Sequence, residues 1–332
     1  MTKTPPLYRS SQERDYRQHF GKHILGRFRH VRLDQLNTGD LVEFRAALLK
    51  DGLSVKSARN IIDGSFRAMV RDARAEYKDL QGYDPFMHVQ WPRVQREKPD
   101  PFSVEERDRI IEHWKENDFF YFPWVFTLFF TGMRPSEASA LTWGDVDLTA
   151  GTISISKSRY MGDDSAPKTS ASNRTIQVPE TVIRVLNLLP SRALGLRHVF
   201  VNKDGQPMNA KKWSEHNWRG PLEELKIRHR KFYATRHTFL TEKIRQGENP
   251  FALAQYAGTS VAMLEKDYVG TLGLSTLHSQ QGDREVFEKY AKNPNEIMVA
   301  GPGFEPVQSF APKSAQVLDV RKFKQLQKRK SA

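Results

Sequence analysis

The chain has 332 residues, with 52 lysines and arginines against 39 aspartates and glutamates, a formal net charge of +13 and no cysteine. That length suits two domains with separate cores. The missing thiols exclude disulfides and thiolate metal sites and fit a reducing, cytoplasmic compartment, and the positive balance fits a polyanionic partner.

The opening stretch, MTKTPPLYRSSQERDYR, lacks the apolar centre of a secretory signal. Residues 10 to about 92 read as wholly helical. Asp40 to Leu49 is amphipathic and closes at Lys50-Asp51-Gly52, where the glycine is a natural stop. Ser54 is a plausible N-cap for a helix whose apolar residues Ala58, Ile61, Ile62, Phe66, Met69, Val70 and Ala73 follow one face. Arg27, Arg29, Arg32, Lys56, Arg59, Arg67, Arg71 and Arg74 interleave here. They could line a DNA-facing surface, although each alone is equally a solvated polar face.

The segment WPRVQREKPDPF (91–102) carries three prolines and no helical period, the profile of an extended linker. Ser103 and Glu106 then match a capping box. The boundaries expected are a helical domain at 1–92, a linker at 93–102, a mixed domain at 103–291 and a basic tail at 292–332. Within the mixed domain, helices are expected at 103–117, 120–131, 135–142, 180–189, 210–226, 234–246, 250–257 and 260–267. The longest apolar run, residues 119–133, holds Pro123 and Gly132 and falls short of the roughly 20 residues a membrane span needs. It reads as a buried helix, so no membrane association is expected. GTISIS (151–156), NRTIQVP (173–179) and HVFVN (198–202) read as strands. The fold class is thus mainly α, a helical domain followed by a mostly helical α+β domain with a small antiparallel sheet. A further helix is expected at 284–291, and a basic tail follows.

Two arginines and a tyrosine stand in one order along this second domain: Arg134 in TGMRPSEASAL, Arg236 in YATRHTFLTEKI and Tyr268 in AMLEKDYVG. Arginine is a rigid, permanently charged fork that grips phosphate oxygens in pairs. Two aimed at one phosphate could neutralise the charge that builds as a nucleophile adds, and a tyrosine hydroxyl can be that nucleophile. Arg134 precedes Pro135 at a helix start, where anions are favoured, and Glu137 could orient its guanidinium from the next turn. Lys168, in the loop before the second strand, could donate a proton to a leaving oxygen. Tyr233 lies one turn before Arg236 and can share its face. Taken singly, each has an ordinary reading as a surface pair, a surface lysine or a packed tyrosine.

Together they resemble the tyrosine recombinase, or phage integrase, family from about Ser103 to Tyr268, and the helical region before it resembles that family's core-binding domain. TGMRPSEASAL matches the first arginine box and Lys168, continued by KTSASNRTIQVP, the hairpin lysine. Tyr233-Ala-Thr-Arg236-His237 matches the second box, usually His-x-x-Arg-His, and Ala257-Gly258-Thr259 stands where Leu-Gly-His is usual. Tyr268 aligns with the nucleophile. Residues 1–92 would then be a DNA-clamping domain and 103–291 the catalytic domain.

The resemblance implies DNA strand cutting and rejoining without metal or cofactor, through a 3′-phosphotyrosyl intermediate. Tyr268 would attack, Arg134 and Arg236 stabilise the transition state and Lys168 protonate the 5′ oxygen. The implied partners are double-stranded DNA and three further copies in a homotetramer on synapsed duplexes, with room for an accessory DNA-bending or directionality factor. Tyr233 and Thr259 replace family histidines. A phenol with an ordinary pKa near 10 is a poor base at neutral pH but can still donate to a phosphate oxygen. Thr259 offers only a hydroxyl, and Glu137 and His237 are candidates to support the arginines. No separate N-terminal domain for distant arm-type sites is expected. Alternatives are a type IB-like topoisomerase and a catalytically impaired DNA-binding or architectural protein.

Overall fold

The computed structural model describes residues 10–82, 84–93, 98–160, 162–165 and 173–268, and the chain divides into two compact units at Glu97 and Lys98. The helix at 284–291 and the basic tail expected from the sequence lie outside these residues, as do Lys168 and the rest of its loop.

In the first unit, α1 (Ser10–His19) runs through a π-helical segment, Phe20–Ile24, into α2 (Leu25–Phe28). Next come α3 (Thr38–Lys50), α4 (Val55–Arg59), a second π segment, Asn60–Phe66, and α5 (Arg67–Glu76). Asn37 and Asp40 cap α3 reciprocally, the Asn37 side chain accepting from the Asp40 N–H and the Asp40 carboxylate from that of Asn37. Gly52 lies beyond its end with φ of 84°. Ser54 caps α4 by accepting from the Ser57 N–H at 3.1 Å. The expected single helix from 55 is thus continuous but not uniformly α. Its π stretch rotates the chain so that Ile61, Ile62, Ser65 and Phe66 are all buried, while Met69 is only partly so. Ser65, buried there, lies 2.6 Å from His19 Nδ1, so the end of α1 meets the second π segment through a polar contact. Phe28, Phe44, Phe66 and Phe86 pack edge-on or tilted around this core, with ring centroids 5.0 to 5.6 Å apart.

The second unit opens with α6 (Val104–Asn117), whose Ser103–Glu106 capping box is formed from both sides. Helix α7 (Phe122–Thr131) has all ten residues buried and forms the centre of the unit, packed by α6, by α9 (Glu180–Asn187) and by α13 (Ala234–Arg245). Between them in sequence are α8 (Pro135–Ala140), α10 (Pro190–Ala193), α11 (Ala210–Asn217) and α12 (Arg219–Glu224); α14 (Pro250–Ala257) and α15 (Val261–Tyr268) follow. Strands β1 (Val146–Asp147), β2 (Thr152–Ile155) and β5 (Arg174–Gln177) form an antiparallel sheet in the order β1-β2-β5. β3 (Ser158–Tyr160) and β4 (Asp163–Ser165) make a separate antiparallel pair. That pair escapes sequence reading because nothing apolar alternates in it; an Arg159–Asp164 ion pair spans it at its central register position.

One expected strand is absent. His198–Asn202 forms only isolated bridges, Thr142 with His198 and Val201 with Pro207. Val199, Phe200 and Val201 are all buried, so the run threads the core instead of presenting alternate faces, and its neighbours on both sides are loop segments.

Two ties fix α13 against the start of the domain. The Phe102 N–H donates to Thr238 Oγ1 at 2.9 Å, and buried Arg107 donates to Glu242 while lying 5.1 Å above the Phe130 ring. Around them Trp124, Trp213, Trp218 and Phe232 interlock, with Trp124 only 1% exposed. Replacing Trp124 by Ala should cost about 3–5 kcal/mol, because the surrounding rings cannot collapse into the space left. Denaturant unfolding checks this; a loss below about 1 kcal/mol would mean the cluster is loosely packed.

Candidate active site

Two helix ends create the site. Helix α7 terminates at Gly132, whose φ of 59° is left-handed. A Cβ there would also sit 2.3 Å from the Phe239 ring, so the position needs glycine on both counts. Three residues on, Pro135 starts α8 with Arg134 as its extended N-cap. Helix α14 ends in the same way at Gly258, with φ of 63°. Leu253, Ala254 and Ala257 of α14 pack with Phe239, Leu240 and Leu264, which brings α13, α14 and α15 together.

The arginines are held by backbone at these ends. Arg236, 3% exposed, donates through Nη1 to Gly132 O at 2.9 Å and through Nη2 to Ala257 O at 2.8 Å. Arg134 donates through Nη2 to Gly258 O at 2.6 Å and through Nη1 to Glu137 Oε1 at 2.5 Å. The other Glu137 oxygen accepts the Arg134 backbone N–H at 3.0 Å. Each guanidinium thus commits two of its five N–H donors through these bonds. Cation density collects at one place with hydrogen-bonding capacity left over, as an oxyanion would require.

Tyr233 stands beside both guanidiniums, 40% exposed. Its ring meets His237 edge-on at 5.1 Å. Thr259 is half-buried directly after Gly258, with its N–H donating to Ala254 O. Tyr268 is the last residue of α15; its side chain lies outside the described structure. So the structure brings Arg134, Arg236, Glu137, Tyr233 and His237 together and sets Thr259 beside the Gly258 carbonyl that holds Arg134.

Arg174 is the residue that sequence reasoning passed over. Its Nη2 donates to Glu137 Oε2 at 2.9 Å, its Nη1 to Oε1 at 3.3 Å and its Nε to Tyr256 O at 2.6 Å. The signal was available: period two along β5 puts residue 174 on the side of buried Ile176 and Val178. An arginine there needs a buried carboxylate.

Burial opposes the charged form of Glu137, but the hydrogen bond and charge of Arg174, then Arg134, outweigh it and hold the carboxyl below its ordinary range. Burial likewise opposes the charge on Arg134, and Glu137 and Tyr233 outweigh it, so its pKa rises. Arg236 is the most deeply buried of the three. Desolvation pulls its pKa down, from so high a starting point that it stays protonated.

The basic residues of the first unit are largely committed to acids: Arg27 to Glu43, Arg32 to Asp34, Arg59 to Asp63, Arg67 and Arg74 to Asp84, and Arg71 to Asp72. That face is a mixed-charge surface more than a stripe of single cations.

The buried carboxylate has a measurable pH signature. Because its folded pKa is depressed, Glu137 stabilises the fold above its ordinary value of 4.5, and that contribution is lost as pH falls through the folded value. Glu137→Gln should therefore be less stable than the parent by about 3–5 kcal/mol at neutral pH, with the gap closing below the ordinary value. Unfolding midpoints of both proteins across pH 3 to 7 test this (about four units, enough to span the carboxylate range); a constant gap would contradict it.

Comparison with known proteins identifies the family of this fold. The model of the family described as the phage integrase family matches residues 104–270. IntQ of Escherichia coli (strain K12), whose name marks it as a defective protein, is 26% identical over 267 residues, covering 69% of this chain and 66% of its own. The chain spans about half to two thirds of the length of the curated relatives it matches. Among solved structures, the Tn1549 transposon integrase in complex with transposon right end DNA superposes with a TM-score of 0.64 at 19% identity, over 86% of this chain and 95% of that one. The lambda integrase tetramer bound to a Holliday junction gives 0.63 at 13% identity, over 82% and 75%. With half of its length matched by the family model, and the two boxed arginines meeting at one site, the chain belongs to the phage integrase family.

Proposed function

We propose that this chain is a site-specific DNA recombinase of a mobile element that cuts and rejoins strands through a 3′-phosphotyrosyl intermediate. The observation that carries this reading is the pair of guanidiniums, Arg134 and Arg236, pinned on main-chain carbonyls with donors left for an anion. In this mechanism the Tyr268 oxygen gives up its proton to solvent and forms a bond to the scissile phosphorus as the bond to the 5′ oxygen breaks. Lys168 gives the departing oxygen its proton. Arg134 and Arg236 carry the charge that grows on the non-bridging oxygens; because both are already fixed, little reorganisation is needed as that charge appears. Tyr233, exposed beside both, donates its hydroxyl to the same phosphate. Attack by a 5′ hydroxyl of a partner strand reverses the step, trading ester for ester.

The partners in this reading are double-stranded DNA and three further copies of the chain. Residues 1–92 clamp the duplex and 103–291 carry the chemistry. The structures of the Tn1549 integrase with its DNA and of the lambda integrase tetramer on a Holliday junction support both partners. Among the described residues no helix is long and apolar enough to cross a membrane.

A second reading, a DNA-binding protein of impaired catalysis, draws on Tyr233 and Thr259 at the family's histidine positions and on the name of the defective relative. The two are separated by a pool of nicked suicide duplexes, randomised around the nick, from which covalent capture itself selects the site. The wild-type chain should form an SDS-resistant adduct mapped to Tyr268, and Tyr268→Phe none. Arg134→Lys and Arg236→Lys should each slow adduct formation by about 10²–10³-fold. No adduct, or one that survives Tyr268→Phe, would leave the second reading standing.

A further inference from the structure

Arg134 and Arg174 share both of their anchors. Each donates to the Glu137 carboxylate, and each donates to a carbonyl at the end of α14, Gly258 O for Arg134 and Tyr256 O for Arg174. The contacts close a ring: Arg134, Glu137, Arg174, the α14 terminus and back to Arg134. Within it, Arg174 and Glu137 side chains are only 7% and 5% exposed. Nε and both Nη nitrogens of Arg174 donate to protein atoms. A residue that faced DNA would keep part of its fork outward, as Arg134 does with a side chain 29% exposed.

The fit around Arg174 is tight. A Cβ at Gly258 would lie 2.5 Å from its Nη1, so the left-handed glycine that presents a carbonyl to Arg134 also makes room for Arg174. A carboxylate with only Arg134 beside it would still face the cost of burial; the second fork supplies the hydrogen bonds that hold both oxygens in one plane.

We propose that Arg174 is a positioning residue for the phosphate clamp: it fixes Glu137, and through Glu137 the Arg134 guanidinium, while joining the strand that follows the Lys168 loop to the end of α14. This rests on the recombinase reading above, since the function assigned is alignment of Arg134 on a scissile phosphate. Strand β5 begins at Arg174 itself, paired with Ile155 of β2.

A double-mutant cycle on single-turnover adduct formation tests the assignment, using the suicide duplex recovered by covalent capture at saturating protein. Arg174→Gln should slow the wild-type chain by about 100-fold, the scale of a small misplacement of a catalytic group, with DNA affinity unchanged within about two-fold because the residue does not reach the duplex. In a Glu137→Gln background the same change should cost no more than about three-fold, since its target is gone. Arg174→Lys, which keeps the charge and loses the fork, should recover part of the rate; it carries the same cycle if melting curves show that Arg174→Gln does not fold. Costs that multiply across the two positions, or a slowing matched by lost DNA affinity, would overturn the proposal while leaving the recombinase reading intact. Absence of any adduct from the wild-type chain would overturn both.

Discussion

A carboxylate buried between two guanidiniums, one oxygen shared by both and the other held by the Arg174 fork and the Arg134 backbone N–H, is the arrangement around which the rest of the site is organised. At 5% exposure the charge of Glu137 is opposed by burial and held by Arg174 and Arg134 together. Once it is charged, the geometry of all three follows from the planarity of carboxylate and guanidinium. The surrounding fold brings the three to one point from different parts of the chain: Arg134 and Glu137 across the start of α8, Arg174 at the head of β5, with the α14 terminus receiving both arginines. Arg236 joins from α13, whose own position is set by Thr238, Glu242 and the all-buried α7.

Charge accounting explains why such an assembly suits a phosphate. Three arginines meet one carboxylate, an excess of cation in a place where water is largely excluded. Burial disfavours that excess, as the downward pull on Arg236 indicates, and an incoming oxyanion would relieve it. A site built in this way trades some folding stability for affinity toward negative charge, and the large aromatic cluster around Trp124 and Trp213 provides the compensating stability.

Much of this was legible in the residues. Ser103 with Glu106, Ser54, Pro135 and the spacing of the two arginine boxes announce their local structure because caps and helix starts are local phenomena, decided within four residues. What escaped was non-local. The π segment at 60–66 keeps the apolar composition of a helix while changing its phase, so a 3.6-residue period reads through it unnoticed. His198–Asn202 has the composition of a strand, yet Val199, Phe200 and Val201 all point into the core because loops flank them. Arg174 reads as one more cation of a basic chain until β5 is seen to bury that face. Its partner Glu137 lies 37 positions earlier, beyond the reach of any periodicity.

The two left-handed glycines have a consequence for how this site tolerates change. Gly132 and Gly258 terminate helices so that main-chain oxygens, with that of Ala257, receive the Arg134 and Arg236 guanidiniums, and a carbonyl is supplied whatever side chain its residue bears. Mutational drift along the outer face of α14, where Phe251, Ala252 and Gln255 are exposed, can proceed without touching these acceptors, whereas α7 is buried along its whole length. The vulnerable points are the two glycines, where backbone conformation is at stake, the buried carboxylate and the packed length of α7. Selection on such a protein would act on those positions while the exposed face of α14 is released to vary.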